Sequence, residues 1–354
     1  MLLRIMYGLL VLAPIALFFD LAGVGGHSLV FVTSALAMVP LAAVLGRATE
    51  EVAVYTGPKI GALLNATLGN AAELIITIIA LREGLDEVVK ASIAGSIIGN
   101  ILVVLGFSLL LGGLKHGTQT FDRETAGINA TLMALAVVAL VIPAVFALGN
   151  ERLRPSDRDI ERLSDGMAII LIALYVLYLL FTLRSTSSST ASAAEHEPAA
   201  TTMRLPVAIG LLVGSTLAIV VMSEVLVGAI RPTAEDWGLT ELFIGVMLIP
   251  LVGNIAEHLV AVQVALQNKM DLSLGIALGS GLQIALFVTP VLVLSGALLG
   301  TPLPLLFNSY ELMALIAAAL IAVLISVDGE SNWLEGAELL GLYAILGLAF
   351  YFVP

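Results

Sequence analysis

Apolar runs of roughly 20 residues recur along almost the whole chain, and they constrain its fold more than any other feature. A run of that length crosses a bilayer as an α-helix, whereas a transmembrane β-strand needs about 10 residues of alternating polarity. Because backbone groups in lipid must satisfy one another, the expected fold class is an all-α membrane protein. The composition agrees, since 59% of the residues are hydrophobic and 12% are charged, against about 45–50% and about 25% in soluble domains.

The hydropathy pattern predicts eleven transmembrane helices, separated by short polar segments. The predicted spans cover residues 5–24, 28–46, 60–81, 91–114, 126–149, 167–183, 205–230, 242–266, 272–300, 309–327 and 337–353. The first helix, within residues 1–26, is interpreted as retained, because it lacks a clear small-residue cleavage site. With the N-terminus inside, the inner loops carry eight Lys or Arg residues and the outer loops seven, which does not decide the orientation.

Two polar stretches interrupt the apolar pattern. Residues 184–204 are rich in Ser, Thr and Ala and predict a flexible linker. Residues 149–166 carry many charges and predict a short loop. The linker divides the chain into the first helix, a segment of five predicted spans at 27–183 and a second segment of five at 205–354.

The two five-helix segments are copies of one another. Asn70 and Glu73, in the sequence GNAAE, recur in the second segment as Asn254 and Glu257 in GNIAE. Gly95–Ser96 recurs as Gly279–Ser280 at the same interval. Because each copy has an odd number of spans, the second must enter the membrane from the opposite side. The sequence therefore predicts two inverted-topology repeats, with a binding site where they meet near the bilayer midplane.

Both duplicated carboxylates fall near the middle of a predicted span. Glu73 lies between the charged residues Lys59 and Arg82, and Glu257 lies similarly between Glu241 and Lys269. An ionised side chain at that depth costs on the order of 3 kcal/mol. Two such residues at equivalent positions of two repeats predict a functional site, whereas a single one would be compatible with a buried structural carboxylate.

The neighbours of these carboxylates are mostly oxygen donors, which suit a hard cation such as Ca²⁺. Two carboxylates would neutralise one Ca²⁺, and in a low dielectric they would also bind protons in a coupled manner. Zn²⁺ or Cu²⁺ would require His or Cys, and the chain has no Cys. Thr77, Ser92 and Asn100 are interpreted mainly as packing residues. The oxygen donors on the four helices that carry the duplicated residues include Glu73, Glu257, Asn70, Asn254, Ser96, Ser280 and Gln283, with Glu73 and Glu257 as the proton-binding groups.

The sequences GNAAELIITIIALREG and GNIAEHLVAVQVALQNKMD resemble the two signature repeats of the calcium/proton (cation/proton) exchanger family, within the wider cation/calcium exchanger superfamily. Residues 46–70 and 328–336 also resemble that family. The resemblance implies helix 1 plus two inverted repeats of five helices. It implies that Glu73 and Glu257 coordinate the ion, and the predicted supporting ligands are Asn70, Asn254, Ser96 and Gln283. It also implies that the second and seventh helices slide to alternate access. The linker departs from the family, because only Glu195 and Glu197 stand where many relatives carry an acidic run.

Three further residues have two interpretations each. Glu50 and Glu224, on the second and seventh helices, are either solvated helix ends or gating groups. His258 adjoins Glu257 but points about 100° away around the helix. It is therefore assigned to packing, proton relay or gating rather than to coordination.

The expected function is a secondary antiporter that exports Ca²⁺ in exchange for H⁺ by alternating access. The alternative is a Na⁺-coupled calcium exchanger of the same superfamily, and a channel would lack coupling to a pH gradient. An enzyme is not expected, because no Cys and no H-E-x-x-H pattern are present. No cofactor is expected beyond the transported Ca²⁺ and H⁺. The partners are these ions and the lipid bilayer, and the net charge of −12 argues against nucleic acid. The expected location is a prokaryotic plasma membrane, and the sequence does not indicate an oligomeric state.

Overall fold

The computed structural model describes residues 8–148, 156–185 and 203–353, which are almost entirely helical. The helices up to the linker are α1 (Leu12–Ala22), α2 (Gly26–Thr56), α3 (Pro58–Leu68), α4 (Ala71–Arg82), α5 (Asp86–Ile98), α6 (Leu105–His116), α7 (Arg123–Leu148) and α8 (Asp157–Ser185). The helices after the linker are α9 (Leu205–Gly228), α10 (Ile230–Trp237), α11 (Glu241–Phe243), α12 (Ile249–Ala265), α13 (Met270–Gln283), α14 (Thr289–Leu299), α15 (Ser309–Ile325) and α16 (Trp333–Phe352).

Three π-helical segments join pairs of these α-helices without a loop. They are π1 (Gly99–Val104), π2 (Ile244–Leu248) and π3 (Ile284–Val288). Two short strands, β1 (Gln119–Thr120) and β2 (Glu330–Ser331), pair in antiparallel fashion, with Gln119 opposite Ser331.

Within the described residues, eight helices are long and apolar enough to cross a membrane. A ninth candidate is the pair Ile230–Trp237 and Glu241–Ile255, which is bent by 113°. The remaining apolar helices, α1 and α15, have 11 and 17 residues. Over the residues that the structure describes, each predicted span therefore overlaps an apolar helix or a group of joined helices. The count of eleven crossings stays a prediction.

Two details of the predicted pattern differ from the structure. The span predicted at 60–81 is divided into α3 and α4 by a turn at Gly69–Asn70, although together they form one of the eight long apolar helices, Leu63–Arg82. The charged loop predicted at 149–166 is wrong from residue 157 onward, where α8 begins. The cause is a reciprocal cap, in which the Ser156 hydroxyl donates to Asp159 Oδ2 at 2.7 Å and accepts from the Asp159 backbone N–H. Residues 149–155, and residues 186–202 of the predicted linker, lie outside the described parts of the chain.

The structure divides into two compact units, and the first comprises residues 1–79 and 172–233. In it α2 packs along the length of α9, and both α1 and α3 pack on α2. Glu51 and Tyr55 of α2 hold the backbone of Met203, just before α9. The Met203 N–H donates to Glu51 Oε2 at 3.3 Å, and its carbonyl accepts from the Tyr55 hydroxyl at 2.8 Å. The two helices predicted to slide therefore belong to one packed group.

The second unit comprises residues 80–171 and 234–354. Its centre is the continuous helix formed by α5, π1 and α6, which is apolar on all sides and is therefore buried. Ile93, Ile97 and Ile101 are each at most 2% exposed. This helix packs against π2, α12, α13 and α16. Gly95 permits the close packing of α5 on π2, because a Cβ at this position would overlap the backbone carbonyl of Val246.

Each compact unit contains residues from both predicted repeats. The predicted domains, with a first helix at 1–26, repeats at 27–183 and 205–354 and a linker at 184–204, therefore stay a prediction about sequence duplication. They do not describe compact bodies.

Three loops of the second unit lie on one side of it. Lys115 Nζ donates to the Leu266 carbonyl at 2.9 Å, and Gln119 Nε2 donates to the Ala265 carbonyl at 3.1 Å. The pairing of β1 with β2 adds residues 328–332 to this group. The predicted topology also places the ends of the fourth, eighth and tenth spans on one side of the membrane, in agreement with these contacts.

Asp122 is the cap of α7, and its exposed carboxylate accepts from the Thr125 backbone N–H at 2.7 Å. The hydrogen bonds from the Thr125 side chain and backbone hold the pKa of this carboxyl below its usual range. Because the pKa of Asp122 is lower in the folded state, the ionised cap stabilises the protein fully at pH values above the unfolded-state pKa of about 3.9. That contribution is lost as the pH falls through the lowered pKa.

Asp122→Ala is therefore expected to lower the Tm by a few degrees at pH 7, in line with a cap contribution of about 1 kcal/mol. The difference from the wild type should shrink as the pH falls through the lowered pKa, because the Asp122 carboxyl is then protonated in the folded as well as the unfolded protein. Thermal unfolding of purified protein at pH 7 and at a pH below the lowered pKa measures this. Asp122→Asn is the control, because its amide oxygen still caps the helix. A pH-independent loss in Asp122→Ala would contradict the proposed origin of the effect.

Candidate functional site

Asn254 lies in α12 at the interface with α5, and its side chain is 1% exposed. Its amide Nδ2 donates to the hydroxyl of Ser96 at 3.3 Å and to the Pro250 carbonyl, one turn earlier in α12, at 3.0 Å. Ser96 is itself buried on α5. Of the predicted ligands, the structure thus brings Asn254 and Ser96 into direct contact.

Glu257 follows Asn254 by one turn on α12 and is half-buried. Its carboxylate lies near the hydroxyl of Ser280 on α13. Asn100, the second residue of π1, donates from Nδ2 to the same hydroxyl oxygen at 3.0 Å. Because Ser280 accepts from Asn100, its own proton is available to the nearby carboxylate of Glu257. Two serines at equivalent positions of the repeats, Ser96 and Ser280, therefore each accept from an asparagine amide.

Three buried oxygens attached to this network have no hydrogen-bond partner among the described residues. They are Asn254 Oδ1, Asn100 Oδ1 and Glu257 Oε2. An unpaired buried acceptor costs about 1–3 kcal/mol, and a charged one costs more. A group of such atoms with no donor facing them is suited to binding a cation or a proton.

Two of the π-helical segments occupy equivalent positions of the repeats. π1 ends at Val104 and π3 ends at Val288, and the interval between them equals that between Asn70 and Asn254. In π3 the Thr289 hydroxyl donates to the Ile284 carbonyl, one π-helical turn earlier, at 2.8 Å. π-Helical turns within α-helices are frequent at functional sites. Here one contains Asn100 and the other directly follows Gln283, which is half-buried at the end of α13.

In the first unit, Asn70 and Glu73 are buried, at 0% and 6% exposure. Asn70 lies in the turn between α3 and α4, and Glu73 is in the first turn of α4. Thr77 lies one turn further, and its hydroxyl donates to the Glu73 carbonyl at 2.6 Å. A helix N-terminus favours negatively charged groups, so this backbone suits a carboxylate. Glu257, in contrast, lies in the middle of α12.

The repeats therefore carry the same motif on different backbones, one broken and one continuous. Glu73 belongs to the first unit and Glu257 to the second, and their meeting at one cation stays a prediction.

The three residues assigned to gating have different surroundings. Glu50 and Glu224 are exposed, on α2 and α9 of the first unit. His258 is half-buried on α12, and its Nε2 is buried without a hydrogen-bond partner among the described residues. The exposure of the two glutamates fits the solvated interpretation, and gating by any of the three stays a prediction.

Two residues of the network were undervalued from sequence. Asn100 was assigned to packing, and Ser280 was counted among the oxygen donors but not among the predicted ligands. The signal for Ser280 was available, because it repeats Ser96, a residue already assigned as a ligand, in the second copy. The signal for Asn100 is its spacing, because it follows Ser92 and Ser96 at intervals of four residues and so lies on the same helix face. Within the parts of the chain that the structure describes, no three His, Cys, Asp or Glu side chains form a conventional metal cluster.

Sequence comparison relates the chain to known proteins. The profile of the family described as sodium/calcium exchanger protein matches residues 27–184 and 207–352, which leaves out most of the predicted linker. The chain belongs to this family. Both copies of the GN-x-AE motif fall within the matched segments of the exchanger profile.

Individual exchangers match almost the whole chain. The Ca(2+)/H(+) antiporter of Aphanothece halophytica is 46% identical, over 99% of this chain and 97% of its own. The Ca(2+)/H(+) antiporter ChaA of Bacillus subtilis is 42% identical, over 92% of each chain. Among solved structures, native YfkE superposes with a TM-score of 0.86 at 39% identity, over 99% of this chain and 100% of its own. The predicted resemblance and the all-α membrane fold are confirmed.

Proposed function

We propose that this protein is a secondary antiporter that moves Ca²⁺ out of the cell in exchange for H⁺. The observation that supports it most directly is the set of buried, unpaired oxygens on Asn254, Asn100 and Glu257. These are amide and carboxylate oxygens, the ligand types that Ca²⁺ prefers. The similarity to Ca(2+)/H(+) antiporters over 99% of the chain supports the same cargo and the same coupling ion.

Protons and Ca²⁺ compete for the same oxygens in this proposal. Ionised Glu257 offers Oε2 to a cation, and the nearby Ser280 hydroxyl can donate to the same carboxylate. Protonation neutralises the carboxylate and removes its attraction for the cation. The proposal keeps the predicted pairing with Glu73, because two carboxylates match the charge of one Ca²⁺ or bind two protons. A loaded site is neutral in either case, which lowers the cost of crossing the membrane interior.

Alternating access is assigned to α2 and α9. They pack along each other in the first unit, whereas the Glu257 network belongs to the second. Movement of α2 and α9 as a group would leave the hydrogen bonds of Asn254, Ser96, Ser280 and Asn100 intact. The protein acts as a transporter rather than as an enzyme, in a prokaryotic plasma membrane and without a bound cofactor.

A proton gradient imposed on inverted membrane vesicles is expected to drive ⁴⁵Ca²⁺ uptake. Collapse of the gradient with a protonophore should abolish that uptake. A Na⁺ gradient of the same size, at constant pH, should drive none. Uptake that follows Na⁺ and ignores the pH gradient would instead support the Na⁺-coupled alternative. Uptake that needs neither gradient would indicate a channel and contradict the proposal.

A further inference from the structure

The turn at Gly69–Asn70 leaves the carbonyls at the end of α3 without partners in that helix, as at any helix C-terminus. The Gly69 N–H donates to the Asn65 carbonyl at 2.9 Å. The next carbonyl, that of Ala66, accepts from the hydroxyl of Tyr175 on α8 at 3.0 Å. Tyr175 is 3% exposed and Ala66 is 7% exposed, so this bond is shielded from solvent. All of these residues belong to the first unit.

The equivalent carbonyl in the second repeat is satisfied differently. Pro250 is the counterpart of Ala66 in the second copy. Pro250 lies four residues before Asn254, and Ala66 lies four residues before Asn70. The Pro250 carbonyl accepts from Nδ2 of Asn254 within a continuous helix. In the first repeat a residue from another helix, Tyr175, supplies the donor at this position. The carbonyl one turn before each motif asparagine is thus held by a side chain in both repeats.

We propose that Tyr175 is a positioning residue for the cation site, acting through the broken helix that carries Asn70 and Glu73. This inference rests on the proposed Ca²⁺/H⁺ exchange. The hydroxyl fixes the last turn of α3, and the last turn of α3 sets the direction in which the chain leaves toward Asn70 and the first turn of α4. Loss of this bond removes one restraint on the turn and is therefore expected to loosen the positions of Asn70 and Glu73.

Tyr175→Phe removes only the hydroxyl and is expected to raise the KM for Ca²⁺ about five-fold, the effect of one neutral hydrogen bond. The maximal rate of each folded molecule should stay within about two-fold of the wild type. A purely structural role would instead reduce the amount of active protein and leave KM unchanged. Backbone amide exchange of residues 70–74 should become about five-fold faster, whether or not the protein transports Ca²⁺.

Tyr178→Phe is the matched control, because it lies on the same helix and its hydroxyl bonds to Thr182 of that helix. It should change neither KM nor amide exchange at 70–74. 4-Aminophenylalanine at position 175 keeps a donor at the ring para position and should restore both values. If Tyr175→Phe does not fold, 4-aminophenylalanine against 4-methylphenylalanine makes the same comparison, because only the former donates.

Wild-type KM together with wild-type amide exchange in Tyr175→Phe would overturn the inference. Equal effects of Tyr175→Phe and Tyr178→Phe would overturn it as well. If the wild-type protein itself shows no proton-driven Ca²⁺ uptake, the proposed function fails. The amide exchange of residues 70–74 then still decides whether Tyr175 holds the turn.

Discussion

Glu257→Gln is expected to abolish proton-driven Ca²⁺ uptake, with a fall in the initial rate of at least about 100-fold. Loss of an outer-shell partner alone costs about 10–100-fold in metal affinity, and Glu257 is proposed to contact the ion itself. Glutamine has nearly the same shape and can still accept from Ser280. It carries no negative charge and binds no proton in this pH range, so both halves of the exchange cycle are removed. The measurement is ⁴⁵Ca²⁺ uptake into inverted vesicles with an imposed pH gradient.

Glu338→Gln provides the control for this substitution. Glu338 belongs to the same unit but is exposed on α16, so its neutralisation should leave uptake within about two-fold of the wild type. Thermal unfolding should show that both variants are folded, which separates loss of the site from loss of the protein. Near wild-type uptake by folded Glu257→Gln would remove this residue from the mechanism.

Gly95→Ala is expected to have the second large effect, on stability and on the site together. A Cβ at this position would overlap the Val246 carbonyl and lie 2.7 Å from the ring of Pro250. The obstacle is backbone, which has no alternative rotamer, so α5 and the π2–α12 segment must separate. Overpacking of this kind costs about 1–3 kcal/mol, or a fall in Tm of roughly 5 °C. Separation of the helices also stretches the Ser96–Asn254 bond, so the KM for Ca²⁺ should rise.

Gly99→Ala tests whether the effect comes from that contact. Gly99 lies one turn further along the same continuous helix, and a Cβ there would have no other atom within 4 Å. Alanine also favours helix over glycine by about 0.5–1 kcal/mol, so the Tm should be unchanged or slightly higher. Scanning calorimetry of the two variants in the same detergent makes the comparison. An equal fall in both would mean that glycine is needed along this helix for a reason other than the approach to Val246.

The site residues that can be predicted from the sequence are those that recur in both repeats. Asn254 and Glu257 were identified because the same pair stands at the equivalent place in the first copy, and charge at that depth is costly. Ser96 was identified for the same reason, and its contact with Asn254 is present in the structure. Asn100 was missed, because its partner Ser280 lies far away in the chain and a polar residue in a membrane helix often only packs. The presence of π1 has no counterpart in hydrophobic periodicity.

The fold was predictable to the level of its apolar helices, since length and hydropathy fix them. What hydropathy does not register is a break within an apolar run, as at Gly69–Asn70, or a helix that extends into charged residues. Residues 157–164 of α8 are helical although they are rich in Asp, Glu and Arg, because the cap between Ser156 and Asp159 starts the helix early. Both features depend on individual hydrogen bonds, which a pattern averaged over a span does not resolve.

The contacts of Lys115 and Gln119 with the end of α12, and of Asp122 with the start of α13, hold these loops on one side of the second unit. The orientation of this unit in a membrane can therefore be measured from a single loop. Lys115 and Lys269 flank these contacts, so a protease or an amine reagent confined to one compartment meets both or neither. One labelled lysine on this face therefore assigns the compartment of all three loops at once. That single assignment supplies the orientation of the protein in the membrane, which the nearly even distribution of Lys and Arg leaves open.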